Sequence, residues 1–207
     1  MTSEPPQTQQ WLIRLQQGET TALVDLFEFY RPRLRDMVCL RIGRQLAARL
    51  DPSDVLQEAY VDACRRVGGY VQDPKVSAYI WLWGLTRERL MKLQREHLGT
   101  QRRTALRELQ LPDRSSLLLA RRFLTDALSP SRQYRKQELC QQVQRAIDHL
   151  ADEDRDIILM RHFEGMSNAQ VAEALELSVS GARMRHGRAL LRLKEQLVRY
   201  LSLGDSS

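Results

Sequence analysis

The sequence predicts an all-α protein of two small helical domains joined by a linker. Apolar residues recur at spacings of three and four and seldom at two, and the ten glycines mostly fall near the ends of periodic segments. Near the C-terminus the apolar phase breaks. There, "NAQVAEALELSVSGARMRHGRALLRL" passes from a mixed, mildly acidic half to one carrying Arg183, Arg185, Arg188 and Arg192.

Residues 1–8 read as a flexible, proline-containing start. Trp11, Leu12 and Leu15 predict a short helix ending at Gly18, and Leu23, Leu26, Phe27 and Tyr30 predict a second. Pro32 should kink or interrupt that second helix, because its ring blocks one backbone bond. Leu34, Met37, Val38 and Arg41 then resume the helical spacing.

Asp51-Pro52 is a strong start signal. The carboxylate can accept a free N–H of the first turn, and proline at the first helical position sacrifices no bond. The helix it opens, "DPSDVLQEAYVDACRRV", is expected to stop at Gly68-Gly69. Its buried stripe would be Val55, Leu56, Ala59, Tyr60, Ala63 and Val67, with Asp54, Gln57, Glu58 and Asp62 left outside. A second start, Asp73-Pro74, predicts a long helix running to a cap at Gly99. The first domain is therefore placed at 9–98.

From 99 to 137 the periodicity weakens, and this stretch reads as the linker, with "SSLLLARRFLTDAL" as a short helix within it. Glu138 opens a renewed pattern, Leu139, Val143, Ala146, Ile147 and Leu150. Asp152-Glu153-Asp154 is then expected to cap a helix through Met160 and Phe163. The acids at 152, 153, 154 and 156 suit the positive end of that helix. The second domain is placed at 138–200, with a tail at 201–207.

One helix through Glu176-Leu177-Ser178 is possible on propensity, but Ser178 and Ser180 are good N-caps, and Val171, Ala172 and Leu175 finish one stripe just before them. Val179, Ala182, His186, Ala189 or Leu190, Leu193 and Leu197 begin another in a different phase. A break near Leu177-Ser178 lets both stripes face one core, giving a helix-turn-helix. Gly181, Met184, Arg185, Arg188 and Arg192 then point away from that core. Small residues at the start of such a helix permit close approach to a major groove, and arginines can clamp phosphates or guanine edges. The bland alternative is a solvated arginine face. Glu176 stands where many such turns carry glycine, and Ala182 replaces a larger apolar residue.

In its 207 residues the chain holds 32 Lys and Arg against 26 Asp and Glu, a formal charge of +6 that permits nucleic acid, a membrane surface or an acidic protein as partner. The N-terminus lacks the regions of a signal peptide, and no apolar run approaches the roughly 18 residues of a membrane span, so a cytoplasmic protein without membrane insertion is expected. Cys39, Cys64 and Cys140 are odd in number and far apart, and read as buried apolar fillers. His97, His149, His162 and His186 show no ligand spacing, and neither a phosphate loop nor a nucleophile elbow appears. No metal, cofactor or catalytic centre is expected, and the chain does not read as an enzyme.

Two separated stretches together resemble one family, the extracytoplasmic-function sigma factors of bacterial RNA polymerase, within the sigma-70 family. "DPSDVLQEAYVDACRRV" is similar to their region 2 core-binding helix, and "EDRDIILMRHFEGMSNAQVAEALELSVSGARMRHGRALLRL" to their region 4. Between them, "SAYIWLWGLTRERLMKLQREH" is similar to the family's Trp-Leu-aromatic helix.

The resemblance implies a sigma factor that directs core polymerase to specific promoters and aids their opening. Asp54, Gln57 and Glu58 would contact the clamp helices of the largest polymerase subunit, with Asp51 nearby; capping and a solvated face are the other reading of these acids, Asp51 above all. Arg87, Arg89, Lys92, Arg95, Arg102 and Arg103 would hold the minus-10 strand by its phosphates. Trp81 either packs in the core or stacks on an unpaired base. Ser178, Ser180, Gly181, Arg183, Met184, Arg185 and Arg188 would meet the minus-35 duplex. An anti-sigma partner covering the same surfaces is also implied. Glu88 and Lys92 depart from the Asn and Asp common in the family, so the promoter sequence does not transfer.

Two rival readings come from other classes: a stand-alone helix-turn-helix regulator that binds duplex DNA as a dimer, and a helical adaptor whose arginines meet acidic proteins.

Overall fold

The computed structural model describes residues 4–42, 50–99, 146, 147 and 149–204. Arg102, Arg103, Leu139, Cys140, Val143 and the "SSLLLARRFLTDAL" segment, with the rest of the expected linker, lie outside the described residues. Seven helices and no strands are present among the described residues: α1 Pro6–Gln16, α2 Ala22–Arg41, α3 Pro52–Gln72, α4 Ala78–Gly99, α5 Asp152–His162, α6 Asn168–Ala174 and α7 Val179–Gly204. The all-α expectation therefore holds.

Helices α1 to α4 form one bundle around Leu26, Leu34, Met37, Leu56, Tyr79, Leu82 and Leu90, all buried. The short α1 ends where expected, at Gly18, whose φ of 86° closes the turn. Pro32 does not interrupt α2. It sits on the exposed face, where water can reach the Glu28 carbonyl it leaves unbonded, while Tyr30, Leu34, Met37 and Val38 hold the other face in the core. Asp51 caps α3 as predicted, accepting the Ser53 N–H at 2.8 Å.

The expected stop at Gly68-Gly69 is wrong, since α3 continues to Gln72. One further turn buries Tyr70, whose hydroxyl donates to the Val76 carbonyl at 3.0 Å and whose ring stacks on Trp81 at 4.3 Å. Packing thus outweighs the helix cost of about 1 kcal/mol per glycine. Asp73-Pro74 is likewise not a start. Asp73 closes α3 by donating its N–H to Gly69, and α4 begins at Ala78. The first N–H groups of α4 are satisfied from afar: Ala78 donates to Glu4, and Ser77 donates to Glu173.

In the second bundle α5, α6 and α7 enclose Ile157, Ile158, Leu159, Met160, Val171, Ala182, Ala189 and Leu193, with Ala146 and Ile147 against them. Asp152 does not cap α5. Ala151 holds that position without a side-chain bond, and the acids of the first turn act through their charge. A reciprocal pair, Ser167 and Gln170, caps α6 at 3.1 and 3.0 Å. After Leu175 the chain turns through Glu176 at φ 54°, the one non-glycine residue with positive φ among the described residues, and α7 starts at Val179. The sequence break is real, and Glu176 adopts the conformation that glycine adopts freely. Glu176→Gly should therefore raise stability by about 0.5–1 kcal/mol, read as a higher urea midpoint with an unchanged slope.

Three side-chain expectations are corrected. Val179 is 55% exposed, because the first turn of α7 overhangs the core. Asp62 is buried rather than outside, since Arg89 reaches it from α4. Cys39 is partly buried and Cys64 exposed, so neither fills the core.

The two bundles touch. Their cores are continuous, and α4 lies against α6. Polar bonds cross the same boundary, with Trp83 Nε1 donating to Glu164 at 2.7 Å and Arg87 pairing with Asp156 at 2.8 Å.

Candidate nucleic-acid interface

Ser178 accepts the Gly181 N–H at 3.0 Å, which anchors the start of α7 and bonds Ser178 to Ser180 at 3.1 Å. A Cβ on Gly181 would sit 3.0 Å from the Ser178 hydroxyl, so glycine there keeps the cap intact. Arg183, Met184 and Arg188 project to solvent on the face away from α5 and α6. Arg185 and Arg192 instead reach back to α5, pairing with Glu153 and Asp154. The acids of α5 therefore do more than face a helix dipole. They hold two of the arginines of α7, while Arg183 and Arg188 stay outward in its first turns.

Behind this face His186 meets His162 of α5, Nε2 to Nε2, at 2.9 Å. Burial lowers the pKa of both; the charge of Arg161 adds to it at His162, and those of His162 and Arg161 at His186. A folded pKa below the unfolded value of about 6.5 means stability that is present above that pH and lost as pH falls toward the folded values. The melting temperature should thus drop between about pH 7.5 and pH 5.5 more steeply in the native chain than in a His162→Gln, His186→Gln variant.

On the first bundle, Asp51, Asp54, Gln57 and Glu58 share the exposed side of α3. The Ser53 N–H lowers the Asp51 pKa, consistent with a cap. Beside Gln57 runs a groove of about 350 Å³ lined by Val24, Phe27, Glu28, Tyr60 and Val61.

The basic residues of α4 do not form one surface. Arg87 turns toward α5 and Asp156, whereas Arg89 bridges Glu58, at 2.9 Å, and Asp62 on α3. Lys92 is exposed, 3.9 Å from Glu96, and Arg95 is exposed and donates to the Met91 carbonyl at 3.3 Å. Trp81 is partly buried against Tyr70, its rings nearly parallel at 9°.

Sequence reasoning missed Arg33, Arg41, Trp83 and Glu164 as polar partners. Arg41 was visible as an arginine in an otherwise apolar helical stripe. Its contact Glu164 lies 123 positions away, with no local signal to join them.

Among the described residues no group of three or more His, Cys, Asp or Glu is placed to hold a metal, and no helix is long and apolar enough to cross a membrane. Two helical bundles, one ending in a helix-turn-helix with outward arginines, define a helical protein of the DNA-binding class. Residues 140–193 match the family "Sigma-70, region 4". RNA polymerase sigma-H factor of Pseudomonas aeruginosa is 25% identical over 183 residues, 88% of this chain and 90% of that one. ECF RNA polymerase sigma factor SigW of Bacillus subtilis is 20% identical over 186 residues, 89% and 93% of the two chains. In fold, the chain is similar to CnrH in complex with the cytosolic domain of CnrY (TM-score 0.57, 19% identity, 93% and 98% covered). It is also similar to the sigma factor RpoE in complex with the anti-sigma factor NepR from Bartonella quintana (TM-score 0.51, 18% identity, 86% and 94% covered). Residues 140–193 thus carry a sigma-70 region 4 domain, and over most of its length the chain is similar to sigma factors of the extracytoplasmic-function group.

Proposed function

We propose that this protein directs bacterial core RNA polymerase to specific promoters and aids their opening. The observation that carries this is the pairing, in one chain, of a region 4 helix-turn-helix with a separate exposed Asp54-Gln57-Glu58 face that a stand-alone DNA binder does not need. Region 2 would span 9–98, a linker 99–137 and region 4 138–200. Asp54, Gln57 and Glu58 meet the polymerase, and Lys92 and Arg95 with Arg102 and Arg103 hold the minus-10 strand; Arg87 and Arg89 would join them only on leaving their carboxylates, and Trp81 packs on Tyr70 beside that surface. Ser180, Gly181, Arg183, Met184, Arg185 and Arg188 approach the minus-35 duplex, with Ser178 and Asp51 serving as helix caps beside their surfaces. The protein acts in the cytoplasm as a non-enzymatic regulator, since binding to unpaired bases offsets an unstacking cost of a few kcal/mol without a catalytic group. The complexes of its structural neighbours support an anti-sigma partner.

The test is transcription from a genomic fragment library by purified core polymerase with and without the protein. New start sites sharing spaced upstream motifs are expected, and their absence with folded protein would sink the proposal in favour of a regulator or adaptor. On such a promoter Arg188→Ala should cost about 1–3 kcal/mol at one base position if the side chain reads a guanine, or weaken all sequences alike if it holds phosphate. Binding to upstream-element variants separates these outcomes. Arg185→Ala should cost less, because Glu153 already engages that guanidinium.

A further inference from the structure

A carboxylate interrupts the basic stripe of α4. Glu88 lies four and seven residues before Lys92 and Arg95, so the three share one exposed face of the helix. The cations of that face suit a phosphate backbone, which a bare carboxylate among them would repel. Nor does the fold need the acid there. Its partner is Arg66 of α3, 50% exposed against 61% for Glu88, a setting in which an ion pair adds little stability.

The pair is bidentate: Arg66 Nη1 donates to Glu88 Oε2 at 2.8 Å, and Nη2 donates to Oε1 at 3.2 Å. The guanidinium cancels the charge that would repel phosphate, and it fixes the plane of the carboxylate. Its hydrogen bonds also hold the Glu88 pKa below the usual carboxylate range, so the group stays ionised and only accepts. Each carboxylate oxygen has two lone pairs. The fork of Arg66 engages one on each, and the other two face solvent on the same side as Lys92 and Arg95.

We propose that Glu88, held by Arg66, is a specificity-determining residue of the minus-10 surface: it accepts a hydrogen bond from the exocyclic amine of an unpaired base and disfavours thymine there. This rests on the sigma-factor reading, which brings an opened strand to Lys92 and Arg95. Cytosine, adenine and guanine each carry an amine, whereas thymine carries none. The single ring N–H of thymine sits between two carbonyl oxygens, which a carboxylate repels. Strand opening exposes this edge of the base, which pairing hides in the duplex. Lys92 and Arg95 hold phosphate whatever the base, so discrimination falls to Glu88. Arg66 acts through Glu88 as a positioning residue.

The experiment uses holoenzyme assembled from core polymerase and the full chain, native or substituted, on a promoter drawn from the genomic library with its minus-10 nucleotides randomised. Sequencing the transcripts gives the base preference at each position. In the native holoenzyme one position should favour amine-bearing bases over thymine by about tenfold. Glu88→Ala should cut that ratio to about twofold or less, with the other positions keeping theirs. Both residues are exposed, so helix content and polymerase affinity should stay native in the variants. Arg66→Lys keeps the charge but loses the fork, and its ratio should fall between the two; a native ratio there would overturn the positioning role of Arg66. The same penalty against thymine in native and Glu88→Ala holoenzymes, or none in either, overturns the base reading and leaves the sigma-factor reading intact. A native holoenzyme that starts no transcripts from the library removes the sigma-factor reading, and the base reading with it.

Discussion

Arg41→Ala is expected to destabilise the protein by about 3–5 kcal/mol. Its side chain is 8% exposed and touches Asp156 and Glu164, the latter at 1%. Burial opposes its charge, yet the two carboxylates more than offset this and raise its pKa. Removing the cation strands a buried carboxylate whose remaining side-chain donor among the described residues is the Trp83 indole. Urea unfolding gives the value. Arg31→Ala is the control: it and its partner Glu28 are 41% and 54% exposed, so a loss of about 1 kcal/mol or less is expected. Equal losses in the two variants would show that the boundary between the bundles contributes no more than a surface pair.

Asp54→Ala combined with Gln57→Ala should weaken association with core polymerase by about 2 kcal/mol or more, with helix content unchanged. Both side chains lie on the exposed side of α3, one turn apart, and neither is needed by the fold. The adjacent Val24 and Val61, each 45% exposed beside the groove, would supply apolar contact next to this polar pair. Competition between native and variant protein for core polymerase measures the difference. Undiminished association would withdraw the assignment of α3 to polymerase binding.

Much of this was legible in the sequence wherever the determinant is local. The Asp51-Pro52 start, the Gly18 stop, and the turn at Glu176 all express backbone preferences within a few residues. The errors share one cause. Gly68-Gly69 stays helical because Tyr70 finds Trp81, and α4 starts late because Glu4 and Glu173 supply its acceptors from remote parts of the chain. Pro32 is tolerated because one face of α2 is wet and the other is fixed. The site was read less fully for the same reason. Periodicity placed Met184 and Arg188 outward, but could not foresee that Arg185, Arg192, Arg87 and Arg89 would each be engaged by a carboxylate on another helix.

Arg89 bridges Glu58 on the face assigned to polymerase and Asp62 beneath it, while itself belonging to the segment assigned to DNA. The two surfaces are therefore not separable genetic units. An alanine at Glu58 also alters the setting of Arg89, and the reverse holds, so their effects will not sum, and only the double-mutant difference can apportion them.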